Sequence, residues 1–282
     1  MDSLKPFDEL DVYDSAAREV PIISQLKGVY ARRSLLRLLV ARDLTVRYKR
    51  SVLGIWWTLL NPLLTTTVFF FVFNTVFKAK MATGTLFLPY LLSGTLCMTF
   101  FSQAMTMAAD AISQSASVLT KVYVRPEIFA FSTTIAGAVN FLFGMAPLTA
   151  VLLFYGKLPG YKAPLVLIFV LCMTLFTTGL GLLLAIAYVN FDDSRSIIGI
   201  FLMLLQYMTP VFYPITALGP HTQRVIKLNP LTSYMQVLRS VWGNNGTATT
   251  GDWIYMILSA VVIFIIGMFY FQKKWPGLVA KL

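Results

Sequence analysis

Long uncharged apolar runs dominate the chain, and their length decides what they are. The first covers residues 55–77, without a charge until Lys78. At about 1.5 Å of rise per residue such a run crosses a hydrocarbon core of roughly 30 Å with some tilt. Residues 86–109, 128–155, 163–190, 196–213 and 253–271 repeat the pattern. The expectation is an all-α polytopic membrane protein with six transmembrane helices per subunit, an N-terminal interfacial helix and short re-entrant helices before the last span. Residues 1–54 are read as a polar tail and basic interfacial helix, and residues 55–282 as the transmembrane unit.

Charge orients this array. Six crossings put both termini on one side, and that side collects sixteen Lys and Arg against seven on the other, so the positive-inside rule makes both ends cytoplasmic. The first fifty-odd residues are polar and open on Asp2, Asp8, Glu9, Asp11 and Asp14, so no cleavable signal peptide is expected. A composition of 57% hydrophobic and only 12% charged residues fits lipid as the solvent. The net charge of +11 is therefore read as a membrane-surface signal, and no nucleic-acid partner is expected.

The spans themselves carry no Lys, Arg, Asp, Glu or His away from their ends, which argues against coupling to an ion or proton gradient. The Gly156-Lys157 pair lacks the flanking residues of a phosphate-binding loop, so the chain is not expected to bind or hydrolyse ATP. Asp192 and Asp193 beside Arg195 read as local pairing and helix capping, and His221 as a surface residue. No catalytic, cofactor-binding or metal residue is assigned. Cys97 and Cys172 fall inside spans and read as reduced packing residues. Asn61, Asn74, Gln103, Asn140 and Gln206 are uncharged polar groups at membrane depth, which bind neighbouring helices or line a wet path.

Three segments do not cross. Residues 29–52 interleave Arg32, Arg33, Arg37, Arg42, Arg47, Lys49 and Arg50 with leucines and valines, which suits an interfacial helix. Asp43 and Arg47 are spaced to pair. Such a helix either anchors the chain or gates an entrance and holds anionic head groups, and charge alone does not choose. Residues 111–126 suit a short helix presented to a partner, ended by Pro126. Residues 214–252 hold two pieces too short to span, 215–228 and 231–242, broken at Asn229-Pro230.

The stretches RDLTVRYKRSVLGIWWTLLNPLL (42–64), VLTKVYVRPE (118–127), FDDSRSIIGIFLMLLQYMTPVFYPI (191–215) and LNPLTSYMQVLRSVWGN (228–244) together resemble the permease subunit of bacterial type 2 ABC exporters for lipid-linked polysaccharides such as O-antigens, teichoic acids and galactan. The resemblance implies a homodimer in the bacterial inner membrane, with each subunit seated on an ATPase that is a separate chain and holds the ATP and Mg²⁺. It implies a gate helix whose Arg42, Arg47, Lys49 and Arg50 meet the lipid pyrophosphate. Val118, Leu119, Lys121, Val122, Tyr123 and Arg125 would form the ATPase-coupling helix. Family members line the conduit at the dimer interface with aromatic rings, for which the candidates are Trp56, Trp57, Phe69, Phe70, Tyr207, Phe212 and Tyr213, although rings also belt the ends of ordinary membrane helices. The Asp-Asp order before Ser194-Arg195 departs from the Arg-Asp order expected of relatives. The expected cargo is a polyprenyl-linked cell-envelope polysaccharide, with a lean to a galactan precursor. The rival readings are a drug or small-lipid ABC exporter and an integral-membrane transferase acting on a polyprenyl substrate.

Overall fold

The computed structural model describes residues 22–49, 51, 53–54, 56–72, 86–119, 121, 124–157, 160–191, 193–242 and 248–279. These form eleven α-helices and no strand: α1 (Ile22–Ala31), α2 (Arg33–Tyr48), α3 (Trp56–Phe71), α4 (Phe87–Gln114), α5 (Ala116–Leu119), α6 (Glu127–Phe154), α7 (Val166–Asn190), α8 (Ser194–Met208), α9 (Pro220–Lys227), α10 (Pro230–Trp242) and α11 (Thr250–Val279).

Among the described residues, three helical segments are long and apolar enough to cross a membrane: Glu127–Phe154, Ala163–Asn190 and Thr250–Leu278. These coincide with the third, fourth and sixth runs in the sequence. The other expected crossings look different. Helix α4 has 28 residues but is the polar one of the set, with Ser93, Thr95, Gln103, Thr106 and Asp110 along it. It tolerates them because it is buried between α6 and α7, where protein and not lipid surrounds the hydroxyls. Helix α8 ends after 15 residues at Met208, too short by itself for a bilayer. Helix α3 is described as far as Phe71, with Pro62 inside it.

The core lies where α4, α6, α7, α10 and α11 meet. Leu91, Leu92, Phe100, Phe141, Phe169, Met173, Tyr234 and Met256 are all buried there, and the free cysteines Cys97 and Cys172 pack among them. Hydroxyl pairs tie helices across this core: Thr66 with Thr95 at 3.1 Å, and Thr134 with Thr178 at 2.8 Å.

Local rules set the helix ends. Thr249 and Asp252 cap α11 reciprocally: the Asp252 carboxylate accepts from the Thr249 amide at 2.8 Å, and Thr249 Oγ1 accepts from the Asp252 amide at 3.3 Å. Asn229 Oδ1 accepts from the Leu231 amide at 3.1 Å, with Pro230 as the first helical residue of α10. The Asn229-Pro230 breaker therefore starts a helix, and α10 turns inward while α9 stays at the surface. Asp193 sits at the start of α8 without a side-chain capping bond, contrary to the expected capping role.

Helices α7 and α11 approach most closely. A Cβ on Gly179 would fall 2.5 Å from the Ile263 carbonyl oxygen, and one on Gly267 would run into the backbone of Gly179. Only glycine admits such contact of backbones. Gly179→Ala is expected to cost about 1–3 kcal/mol by overpacking. Gly199→Ala, where nothing lies within 4 Å, is expected to be neutral or mildly stabilising. Thermal denaturation of the two variants in detergent checks the contrast.

Candidate functional site

Helix α2 lies along α6. Its Leu39 is buried with Val29, Ala111, Ile128 and Phe129, while Leu38 and Val46 stay exposed, so one apolar edge docks and the rest of the helix faces outward. Arg42 folds back onto its neighbour, with Nη2 donating to Asp43 Oδ1 at 2.8 Å and Nε at 3.0 Å. Asp43 Oδ2 in turn accepts from Ser132 Oγ of α6 at 3.0 Å. The Asp43 carboxylate thus pins α2 to α6 and orients a guanidinium that is still about half exposed. Lys49 is exposed, whereas the Arg47 side chain and Arg50 fall outside the described residues, and with them the expected Asp43–Arg47 pair.

A cavity of about 590 Å³ opens beside Arg42 and Asp43 and is walled by Thr106, Asp110 and Gln114 of α4 and by Thr133 of α6. A second, of about 420 Å³, lies between α3, α4 and α6 and is walled by Trp57, Thr58, Asn61, Thr99, Phe100, Gln103 and Phe141. Met107 and Asn140 line both, so the two are successive chambers of one recess. Asn140 is at the middle of α6, which puts the junction at mid-depth of a spanning helix. At the outer wall of the first chamber, Asp110 accepts from Arg195 Nε at 2.8 Å, and the same guanidinium lies over the Tyr188 ring at 5.3 Å. Arg195 was expected to pair with the adjacent acids; the bond on Asp110 instead ties α8 to α4 across the fold, and Asp192 lies outside the described residues.

The seven candidate rings do not form one surface. Trp57 lines the second chamber and Trp56 is exposed beside it in sequence. Phe69, Tyr207 and Phe212 cluster at the far end, with ring centroids 4.7 Å apart for Phe69–Phe212 and 5.8 Å for Tyr207–Phe212. Tyr213 joins them by donating its hydroxyl to the Tyr207 carbonyl at 3.1 Å. Phe70 turns away to Phe87.

Residues 111–126 differ from the single short helix expected. Ala111 to Gln114 continue α4, with Ala111 and Ile112 buried, and a separate turn of helix follows as α5. Val118 and Lys121 are exposed, Leu119, Val124 and Arg125 are half-buried, and Val122 and Tyr123 are outside the described residues. Arg125 packs its guanidinium against Gly28 of α1. The next acid, Glu127, is buried, and its Oε2 meets no hydrogen-bond partner among the described residues.

Residues 34–242 match the family model of the ABC-2 type transporter. The chain belongs to the ABC-2 type transporter family. It is 30% identical over 78% of its length to the O-antigen export system permease protein RfbA of Myxococcus xanthus, covering 85% of that protein. It is 25% identical over 85% of its length to the RfbA of Klebsiella pneumoniae, covering 91% of it. The capsule polysaccharide export inner-membrane protein CtrC of Neisseria meningitidis serogroup B is 22% identical over 87% of the chain and 93% of the relative.

One residue of this ABC-2 chain escaped the sequence reading. Arg239 counts as an outer-loop charge in the topology tally, yet it is 5% exposed in α10. Its Nη1 donates to the Pro210 carbonyl at 3.0 Å, its Nη2 to Tyr90 O at 3.3 Å and Val211 O at 3.4 Å, and its Nε to Ser93 Oγ at 3.3 Å. Its guanidinium lies 3.5 Å from the Tyr90 ring centre. The clue was spacing, because Arg239 shares the helical stripe of Leu231, Met235 and Leu238.

Arg239 holds the break after α8, and Tyr90 adds a hydroxyl bond to Tyr213 O at 2.8 Å. The far aromatic cluster therefore hangs on this cation. Arg239→Ala leaves the Val211 carbonyl without a donor, at about 1–3 kcal/mol, and takes one donor each from Pro210 O and Tyr90 O, which keep the Tyr90 and Ser93 hydroxyls. Its expected outcome is a loss of folded protein after detergent extraction, measured by size-exclusion chromatography, larger than that of Arg195→Ala, whose half-exposed ion pair is worth about 1 kcal/mol or less.

Proposed function

We propose that this chain is the permease subunit of an ATP-driven exporter that carries a polyprenyl-linked cell-envelope polysaccharide across the bacterial inner membrane. The observation that carries the reading is the recess that begins at a half-exposed cation on α2 and continues to mid-depth of α6, in a chain whose relatives are named O-antigen and capsule export permeases. A lipid pyrophosphate needs charge-assisted donors at the interface, and Arg42, with Lys49 and the neighbouring Arg47 and Arg50, supplies the residue types for them. The glycan then follows the chambers and the aromatic residues, whose ring faces stack on sugars without fixing them.

The motor is a separate ATPase, reached through Val118, Leu119, Lys121, Val122, Tyr123 and Arg125, and both termini face the cytoplasm beside it. Two copies of the permease act together. The exposed apolar residues of α8, among them Ile197, Ile200, Phe201 and Leu204, support a pairing surface. A galactan precursor is the proposed cargo, ahead of other lipid-linked glycans.

Reconstitution in vesicles with the co-purifying ATPase tests this. Arg42→Ala, and the double change Arg47→Ala with Arg50→Ala, are each expected to cut glycolipid export by about tenfold or more while the complex still assembles, the loss of a hydrogen bond to a charged group. Unchanged export in both variants defeats the pyrophosphate placement. Transport without the ATPase, or ATPase stimulation by small drugs alone, defeats the function.

A further inference from the structure

The second chamber is the less expected half of the recess. It sits within a single subunit, between α3, α4 and α6, and its wall mixes two kinds of group. Thr58, Asn61, Thr99, Gln103 and Asn140 supply amides and hydroxyls, while Trp57 and Phe100 supply ring faces. At about 420 Å³ it is the size of a small-ligand site, which runs roughly 300–1,000 Å³.

We infer that this chamber is a sugar subsite that holds the first saccharide attached to the lipid pyrophosphate. The inference rests on the function proposed above. An isoprenoid tail in the chamber would face amides and hydroxyls to which it can neither donate nor accept a hydrogen bond. A pyranose or furanose matches the wall on both counts, because its hydroxyls both donate and accept while its C–H face stacks on an indole or phenyl ring. Position selects which sugar. The chamber adjoins the one beside Arg42 through Met107 and Asn140, so a pyrophosphate held at Arg42 presents its first sugar to the amides and leaves its tail outside in lipid. Two polar wall residues are readily tested, since Asn61 and Gln103 are exposed to the chamber and are not part of the buried core.

The test is equilibrium binding to the full chain in lipid nanodiscs with two probes: polyprenyl pyrophosphate, and the same lipid bearing one N-acetylhexosamine. Wild type is expected to bind the sugar-bearing lipid more tightly. Gln103→Met and Asn61→Leu are each expected to weaken that lipid by about tenfold, the fold-change for one hydrogen bond, and to leave the bare pyrophosphate lipid unchanged. Arg42→Ala is expected to weaken both probes alike. If bare pyrophosphate lipid binds wild type and depends on Arg42, but Gln103→Met and Asn61→Leu leave the sugar-bearing lipid untouched, the subsite is refuted and the proposed function stands. If neither probe binds wild type, the function itself is refuted. Disulfide cross-linking of a cysteine at position 103 to one on α8 of a second copy also overturns the subsite, since the chamber then belongs to the interface between subunits.

Discussion

The constraint from which the rest follows is that a bilayer offers no water to a polar group, so every donor and acceptor at depth must be met by protein. This chain meets it by placing its more polar long helix, α4, inside the bundle and its most apolar segments around it. The hydroxyl pairs Thr66–Thr95 and Thr134–Thr178 close side-chain groups on one another across helices. The same rule explains the recess. Polar residues that do not close on a neighbour, such as Gln103, gather on one wall of α4 where a polar guest can approach.

Arg239 is the sharpest case of that rule. A guanidinium has five N–H donors in a fixed fork, and here the break between α8 and α9 turns carbonyls toward it. The helix α8 stops short of a full span, and the exposed carbonyls of that stop are what the buried cation satisfies. Cation and break each need the other. Tyr90 completes the arrangement, with its ring against the guanidinium and its hydroxyl on the Tyr213 carbonyl.

The apolar runs were legible because periodicity and length are local, and α6, α7 and α11 appear where the sequence placed them. Asn229-Pro230 was legible as a break, although only the packed structure shows α10 turning inward from it. What could not be read was whatever depends on tertiary neighbours. Ala111 to Gln114 look like the start of a new helix until burial shows them finishing α4. Arg195 looks matched to the acids beside it, yet it reaches Asp110 from 85 residues away. The polar residues Asn61, Gln103 and Asn140 stood out singly as membrane-depth amides, and nothing in their spacing showed that three helices bring them to one chamber. The ring candidates were legible only as residue types, and nothing in their spacing showed that Trp57 and the Phe69–Phe212 pair sit at opposite ends of α3.

The glycine contact between α7 and α11 has a mechanical consequence. With backbones touching at Gly179 and Gly267, these two helices have no side-chain cushion to slide on, and they move as one plank with α4 against it. Displacement during a work cycle is left to the members outside this plank, and α8 is the most lightly packed of them. Helix α8 carries Tyr207, so that ring sits on a part able to shift, while the plank keeps the frame true.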